Sequence, residues 1–202
     1  MEKVFSLFLL RHGKTKGNES GRYIGQTDEG LSDEGRKELL QIQVPPADFI
    51  VLSPMKRCME TADIFYPGRE RIYIPSFREI DFGEFEGRNY RELSGNVKYQ
   101  RWVDSGGKLP FPGGEDREGF CKRVRHGFEE MMEKISLTAM GNTKSRIAAI
   151  VHGGTIMAVL SAYYGGDYYD YQVRNGEGYV CEVARINGRW KVKSLTSRFT
   201  SR

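Results

Sequence analysis

Apolar positions in this chain come in short runs separated by glycine-rich breaks. The longest early run, Val4-Phe5-Ser6-Leu7-Phe8-Leu9-Leu10, leads straight into Arg11-His12-Gly13. A later run, Ile147-Ala148-Ala149-Ile150-Val151, leads into His152-Gly153-Gly154. Short apolar runs bounded this way predict buried strands. Phe49-Ile50-Val51-Leu52 and Arg71-Ile72-Tyr73-Ile74 predict two more strands. Elsewhere the period lengthens to that of a helix. Ser32 is placed to cap a helix carrying Leu39, Leu40 and Ile42 on one side. Ser53-Pro54 reads as N-cap and first residue of a helix reaching about Phe65, with Arg57 in its first turn. Phe120, Val124, Phe128, Met131 and Ile135 form a helical stripe, and Glu115, Asp116 and Glu118 suit its N-terminal end. Gly154 to Tyr163 predicts a helix stopped by Gly165-Gly166. Tyr179–Ile186, Asn187-Gly188 and Arg189–Leu195 predict a hairpin on a type I′ turn. The segment at about 83–115 has no clear period and is broken by glycine and proline. A long irregular insert in a compact domain is usually functional.

Alternation of strands and helices predicts one α/β domain over residues 1–202, with parallel strands and a final antiparallel pair. The hydrophobic share of 39% is ample for a core and excludes disorder. The net charge of +4, without any long basic block, suits an anionic ligand in a local pocket and argues against a nucleic-acid track. The N-terminal apolar run is too short for a signal peptide, and no stretch is long enough to cross a bilayer. Cys58, Cys121 and Cys181 form no C-x-x-C pair, which predicts free thiols in a reducing cytoplasm.

Two predicted strands that each release a histidine and a glycine bring chemistry to one sheet edge, where open α/β sheets bind ligands. Arg11, Arg57 and His152 follow strand ends, Gly153-Gly154 opens a helix, and Asn18 offers a neutral donor. Paired guanidinium donors and a helix N-terminus make an anion pocket of phosphate size. An imidazole on its floor, His12, suits nucleophilic attack on phosphorus, and Glu79 is the candidate proton donor to the leaving oxygen. Read alone, His152 is open to being a satisfied core histidine, against which its Gly-Gly continuation into a helix argues; Arg57 to being a helix-surface cation, the commonest fate of an arginine; and Glu79 to pairing with Arg78 or another surface cation. His126 is expected in solvent. The tyrosines at 163, 164, 168, 169 and 171 are expected to pack or face solvent. Tyr90, Tyr99, Trp102 and Phe111 either line the pocket mouth or simply pack. Other phosphate-handling classes fail on spacing. Gly13-Lys14-Thr15 has Phe8 where a P-loop needs glycine. No cysteine has arginine six residues later, and no Cys/His cluster supports zinc.

Leu10-Arg11-His12-Gly13-Lys14-Thr15 with Asn18 resembles the signature of the histidine phosphatase, or phosphoglycerate mutase-like, superfamily. Ser53-Pro54 with Arg57, Thr61 and Ala62, then Arg78-Glu79-Ile80 with Gly83, Glu86 and Gly87, then Val151-His152-Gly153-Gly154, resemble its later blocks in order. The resemblance implies a three-layer sandwich with a mostly parallel central sheet flanked by helices and a small cap insert. It implies His12 as the phosphorylated nucleophile, Glu79 as proton donor, and Arg11, Arg57 and His152 as phosphate ligands. It implies neither metal nor cofactor. The loop Gly21 to Asp28, which contains Gly25 as a substrate-binding candidate, and Phe111-Pro112-Gly113-Gly114-Glu115 are similar to the α-ribazole phosphatase branch. Thr15 and Gly17 stand where the mutase branch usually carries serine and tryptophan. The expected partner is therefore a small phosphorylated metabolite: α-ribazole 5′-phosphate first, a sugar phosphate or phosphoglycerate second. A homodimer is left open, and a catalytically silent phospho-ligand sensor is the alternative of another class.

Overall fold

The computed structural model describes residues 3–139 and 144–199, with side chains of the last strand through Leu195. The outer ends of the expected 1–202 span, and residues 140–143, lie outside the described residues. Strands β1 (Val4–Arg11), β2 (Phe49–Leu52), β3 (Arg71–Tyr73), β4 (Lys144–Val151), β5 (Gly178–Ile186) and β6 (Arg189–Phe199) form a sheet in the order β3-β2-β4-β1-β5-β6. The first four in that order are parallel; β5 runs antiparallel to β1, and β6 to β5. The architecture is the mostly parallel, helix-flanked sheet expected for phosphoglycerate mutase-like folds. Asn187 and Gly188 both take positive φ, 50° and 77°, as the tight turn between β5 and β6 requires.

Alternating side chains on β1 show how the layers form. Phe5, Leu7 and Leu9 pack toward α5 (Arg117–Thr138) and α6 (Gly153–Tyr163), with Phe120, Val124, Phe128 and Val159 in the same cluster. Phe8 and Leu10 pack on the other face, with Cys58 and Ala62 of α3 (Lys56–Phe65). Both faces of β1 and β4 are thus covered, which is why these strands read as continuous apolar runs rather than alternating ones. Register does the rest. Leu10 lies opposite Ile150 and Arg11 opposite Val151, so His12 and His152 leave the sheet side by side. A one-residue slip would send one imidazole to the opposite face.

Three local expectations need correction. α3 begins at Lys56, not at Pro54, and its N-cap Met55 makes no side-chain bond. The Ser53 hydroxyl is engaged by His152 instead of capping the helix. α2 (Asp33–Leu39) is capped by Ser32 as expected but ends at Leu39, which is buried, while Leu40 is 70% exposed. The insert is not wholly irregular. It holds a 3-10 turn at Gly83–Phe85 and the helix α4 (Val97–Asp104). Asn96 caps α4 by accepting from the Lys98 and Tyr99 amides. Only the i, i+3 pair Tyr99 and Trp102 packs inward, while Val97 and Val103 are exposed. Two inward positions in two turns are too few to register as a period.

Candidate active site

Both imidazoles sit where the parallel strands end, and the backbone fixes their protons. His12 is 3% exposed, and its Nδ1 lies 2.7 Å from the Gly13 carbonyl. A carbonyl only accepts, so Nδ1 carries the proton and Nε2 keeps a lone pair. The turn that does this is clamped. The Gly13 amide donates to Thr61 Oγ1 at 3.0 Å. Asn175 Nδ2 donates to the His12 carbonyl at 3.1 Å and to Asn18 Oδ1 at 3.0 Å. Asn18 also accepts from the Thr15 amide, closing a capping box on α1 (Lys16–Glu19).

His152 is fully buried. Its Nδ1 accepts from Arg57 Nε at 3.3 Å, so the proton is on Nε2, which donates to Ser53 Oγ at 2.8 Å. The two imidazole centroids are 5.1 Å apart with the rings at 66°. Arg57 is also fully buried; its Nη1 donates to the Thr27 carbonyl at 2.8 Å and its Nη2 to the Gly25 carbonyl at 2.9 Å. Gly25 therefore stands behind Arg57. Its amide and that of Thr27 donate to Glu86 Oε1, at 2.8 and 2.9 Å. A Cβ at Gly25 would fall 2.1 Å from the Ile80 carbonyl oxygen, so only glycine lets this loop close against the acid-bearing segment.

Arg11 donates from Nη1 to the Val173 carbonyl at 2.8 Å, while its buried Nε finds no partner. A Cβ added at Gly153 would sit 3.5 Å from this guanidinium, at ordinary van der Waals contact. Glu79 is 8% exposed and accepts from the Ile80 amide at 3.0 Å and the Gly154 amide at 3.4 Å, rather than pairing with Arg78. A side chain at position 154 would place its Cβ 2.4 Å from Glu79 Oε1, so the glycine lets the carboxyl reach α6. Arg123 holds the backbone of this segment, donating to the Ser76 and Arg78 carbonyls at 2.9 and 3.0 Å while bridging to Glu115.

Burial and the two arginines set the charges. Burial first, then Arg57 and Arg11, hold the His12 imidazole well below its ordinary 6.5. Burial first, then Arg57, His12 and Arg11, do the same to His152. Burial lifts Glu79 above its ordinary 4.5 and outweighs the opposing amide bonds and arginines. Two neutral imidazoles, one with an open lone pair, thus face a carboxyl biased toward its protonated form. Near Arg11 and Glu79 opens a cavity of about 280 Å³, walled by Tyr23, Phe82, Trp102, Phe111, Tyr168 and Tyr169 among others. Among the described residues no group of three or more His, Cys, Asp or Glu side chains is placed to hold a metal ion, and no helix is long and apolar enough to cross a membrane.

Residues 7–198 match the profile of the histidine phosphatase superfamily, branch 1. The chain belongs to that superfamily. It is 32% identical over 139 residues to phosphoserine phosphatase 1 of Hydrogenobacter thermophilus, covering 65% of this chain and 66% of that protein. It is 28% identical over 126 residues to the adenosylcobalamin/alpha-ribazole phosphatase of Salmonella typhimurium, covering 58% and 62%. The crystal structure of the alpha-ribazole phosphatase from Shigella flexneri superposes with a TM-score of 0.74 over 95% of this chain and 96% of that one, at 21% identity, which speaks for the fold.

In this histidine phosphatase, His12, His152, Arg11, Arg57, Glu79 and Gly153 converge, while Asn18 and Gly25 stand one layer behind. His126 is exposed, as expected. Tyr168 and Tyr169, expected to be packing or surface groups, line the cavity, as do Trp102 and Phe111; Tyr90 is 60% exposed. Lys14 pairs with Glu38 at 2.5 Å on a half-exposed surface, tying the first loop to α2. Asn175 and Arg117 escaped the sequence reading, whereas Arg123 belongs with Phe120 and Val124 to the pattern similar to the α-ribazole phosphatase branch. Asn175 lies in a polar connection with no period, and Arg117 sits on a helix among other charges.

Proposed function

We propose that this protein is a metal-independent phosphomonoesterase that works through a phosphohistidine at His12. Nε2 attacks phosphorus, the ester P–O bond breaks, and the leaving oxygen takes the proton of Glu79. Water then attacks phosphorus, Glu79 receives its proton, the P–N bond breaks, and inorganic phosphate leaves. Arg11, Arg57 and the N-terminus of α6 at Gly153 take the charge on the phosphoryl oxygens. His152, whose Nδ1 accepts from Arg57 Nε, holds that guanidinium in place for the incoming dianion. One observation carries this reading above the rest: the Nδ1–H bond to the Gly13 carbonyl, which leaves Nε2 as the lone pair of a buried, neutral imidazole.

The substrate reading is α-ribazole 5′-phosphate. Its flat ring suits the aromatic cavity, and the relatives named for that activity support it. Phosphoglycerate, a sugar phosphate or phosphoserine is the second reading, favoured by the relative named for phosphoserine. Turnover of purified protein on a panel of these phosphates, with excess EDTA in parallel, tests both parts. Fastest turnover of α-ribazole 5′-phosphate, unchanged by EDTA, is expected. A strong EDTA effect would refute metal independence. Binding of phosphate without release of alcohol from any ester would make the protein a sensor.

A further inference from the structure

Arg117 opens α5 and lines the aromatic cavity, yet no step above uses it. Its guanidinium carbon lies 5.7 Å from the ring centroid of Tyr168 and 5.8 Å from that of Tyr169. The two rings meet edge to face at 5.1 Å and so form a plinth under the cation. A cation–ring contact of this kind occupies no N–H donor of the guanidinium with a hydrogen-bond acceptor. No hydrogen bond or ion pair engages those donors among the described residues. The nearby acids are otherwise placed. Asp116 caps α5 through the Gly119 amide at 2.7 Å. Asp170 accepts from the Asp167 amide at 2.8 Å, and both aspartates face the outer hollow that Arg117 also borders. Glu79 lines the same cavity as Arg117 but belongs to the phosphoryl end.

The plinth is also tied to the phosphoryl end. The Tyr168 hydroxyl donates to the Gly154 carbonyl at 3.4 Å, so a continuous wall runs from the start of α6 to Arg117. The roof comes down at Gly107, where a Cβ would fall 2.6 Å from the Tyr169 hydroxyl and 3.2 Å from Trp102. A leaving group extending from a phosphoryl at His12 therefore passes between aromatic walls toward a fork of uncommitted cationic donors.

We infer that Arg117 is a specificity-determining residue that reads a hydrogen-bond acceptor, above all a carboxylate, on the far side of a flat leaving group. The inference rests on the phosphomonoesterase reading and goes beyond it by naming a second point of recognition. Its test is steady-state kinetics of wild type, R117M and R117K on phenyl phosphate and 4-carboxyphenyl phosphate. The readout is the ratio of kcat/KM for the carboxyphenyl ester to that for the phenyl ester. Comparing this ratio between variants removes differences in leaving-group acidity and any general loss from mutation. The ratio should fall about tenfold in R117M, through KM, and recover in part in R117K, which keeps the charge without the planar fork. An unchanged ratio in R117M, with phenyl phosphate still hydrolysed, would overturn the role of Arg117 alone. Hydrolysis of neither ester by wild type would overturn the phosphatase reading beneath it.

Discussion

Beneath the phosphoryl position, His12, His152 and Arg57 are held by directed hydrogen bonds: to the Gly13 carbonyl, to Ser53, and to the Thr27 and Gly25 carbonyls. Above it, Tyr23, Phe82, Trp102 and Phe111 meet through ring contacts, with centroids 4.9 Å apart for Trp102 and Phe111 and 5.0 Å for Phe82 and Phe111. The floor hangs from strand ends and the first turn of α3; the walls come from the loop after α1, from Phe82 and the insert that follows it, and from the 3-10 turn at Tyr168–Tyr171. Hydrogen bonds fix angles, tautomers and charge, which phosphoryl transfer needs. Ring packing fixes a shape, and shape tolerates substitution. The contrast assigns reaction type to the floor and substrate choice to the walls.

The largest expected effects come from the floor. His12→Ala should lower kcat on any ester on the order of 10⁴-fold or more, because it removes the attacking lone pair. Thermal melting of the variant should show a cooperative transition, and ordinary turnover by a folded variant would break the assignment. Glu79→Gln should cost about 10²- to 10³-fold on an alkyl phosphate and far less on 4-nitrophenyl phosphate, whose alcohol leaves without a proton. Equal losses on both esters would remove Glu79 as the acid.

The same pair sets the pH dependence. As pH rises through the depressed value of His12, the imidazole loses its proton and kcat/KM should rise. As pH rises through the raised value of Glu79, the acid is lost and the rate on alkyl esters should fall. The acid limb thus lies below 6.5, and the alkaline limb lies above 4.5. Glu79→Gln should abolish the alkaline limb and keep the acid one, and a pH–rate profile that retains both would contradict this.

Smaller effects sharpen the distinction between floor and walls. Arg57→Lys keeps the charge but cannot donate along Nε, Nη1 and Nη2 at once, and should lower kcat/KM by about 10- to 100-fold on every ester alike. Trp102→Ala should act selectively, raising KM by about tenfold for naphthyl phosphate and less for glycerol phosphate, because it removes ring contact rather than charge stabilisation. A uniform loss across esters in the tryptophan variant would mean that the walls serve the chemistry as well.

The legibility of the sequence follows the same division. Arg11-His12-Gly13 and His152-Gly153-Gly154 were readable because each closes a run of apolar residues buried on both faces of a parallel sheet, and that burial leaves a period and a boundary. The β1–β4 register that brings the two histidines together is set by pairing between segments far apart in the chain. No local pattern encodes it. Ser53 looked like a helix cap because serine before proline usually is one, yet its hydroxyl is claimed by His152 across the fold. α4 was missed because its inward face is only Tyr99 and Trp102. Tyr168 packs on the core and Tyr169 is 42% exposed, as expected, but that both also border the cavity could not be read, because a tyrosine-rich connection has the same composition whether it faces solvent or a cavity.

The proposed reaction requires a covalent bond between His12 Nε2 and phosphorus. Rapid quenching of wild type during turnover of a ³²P-labelled ester, followed by peptide mapping, tests it most directly. Label that survives alkali, is lost in acid, maps to the peptide containing His12 and is missing from His12→Ala is the predicted result. Full turnover with no trapped label, or label that persists in the His12 variant, would contradict it.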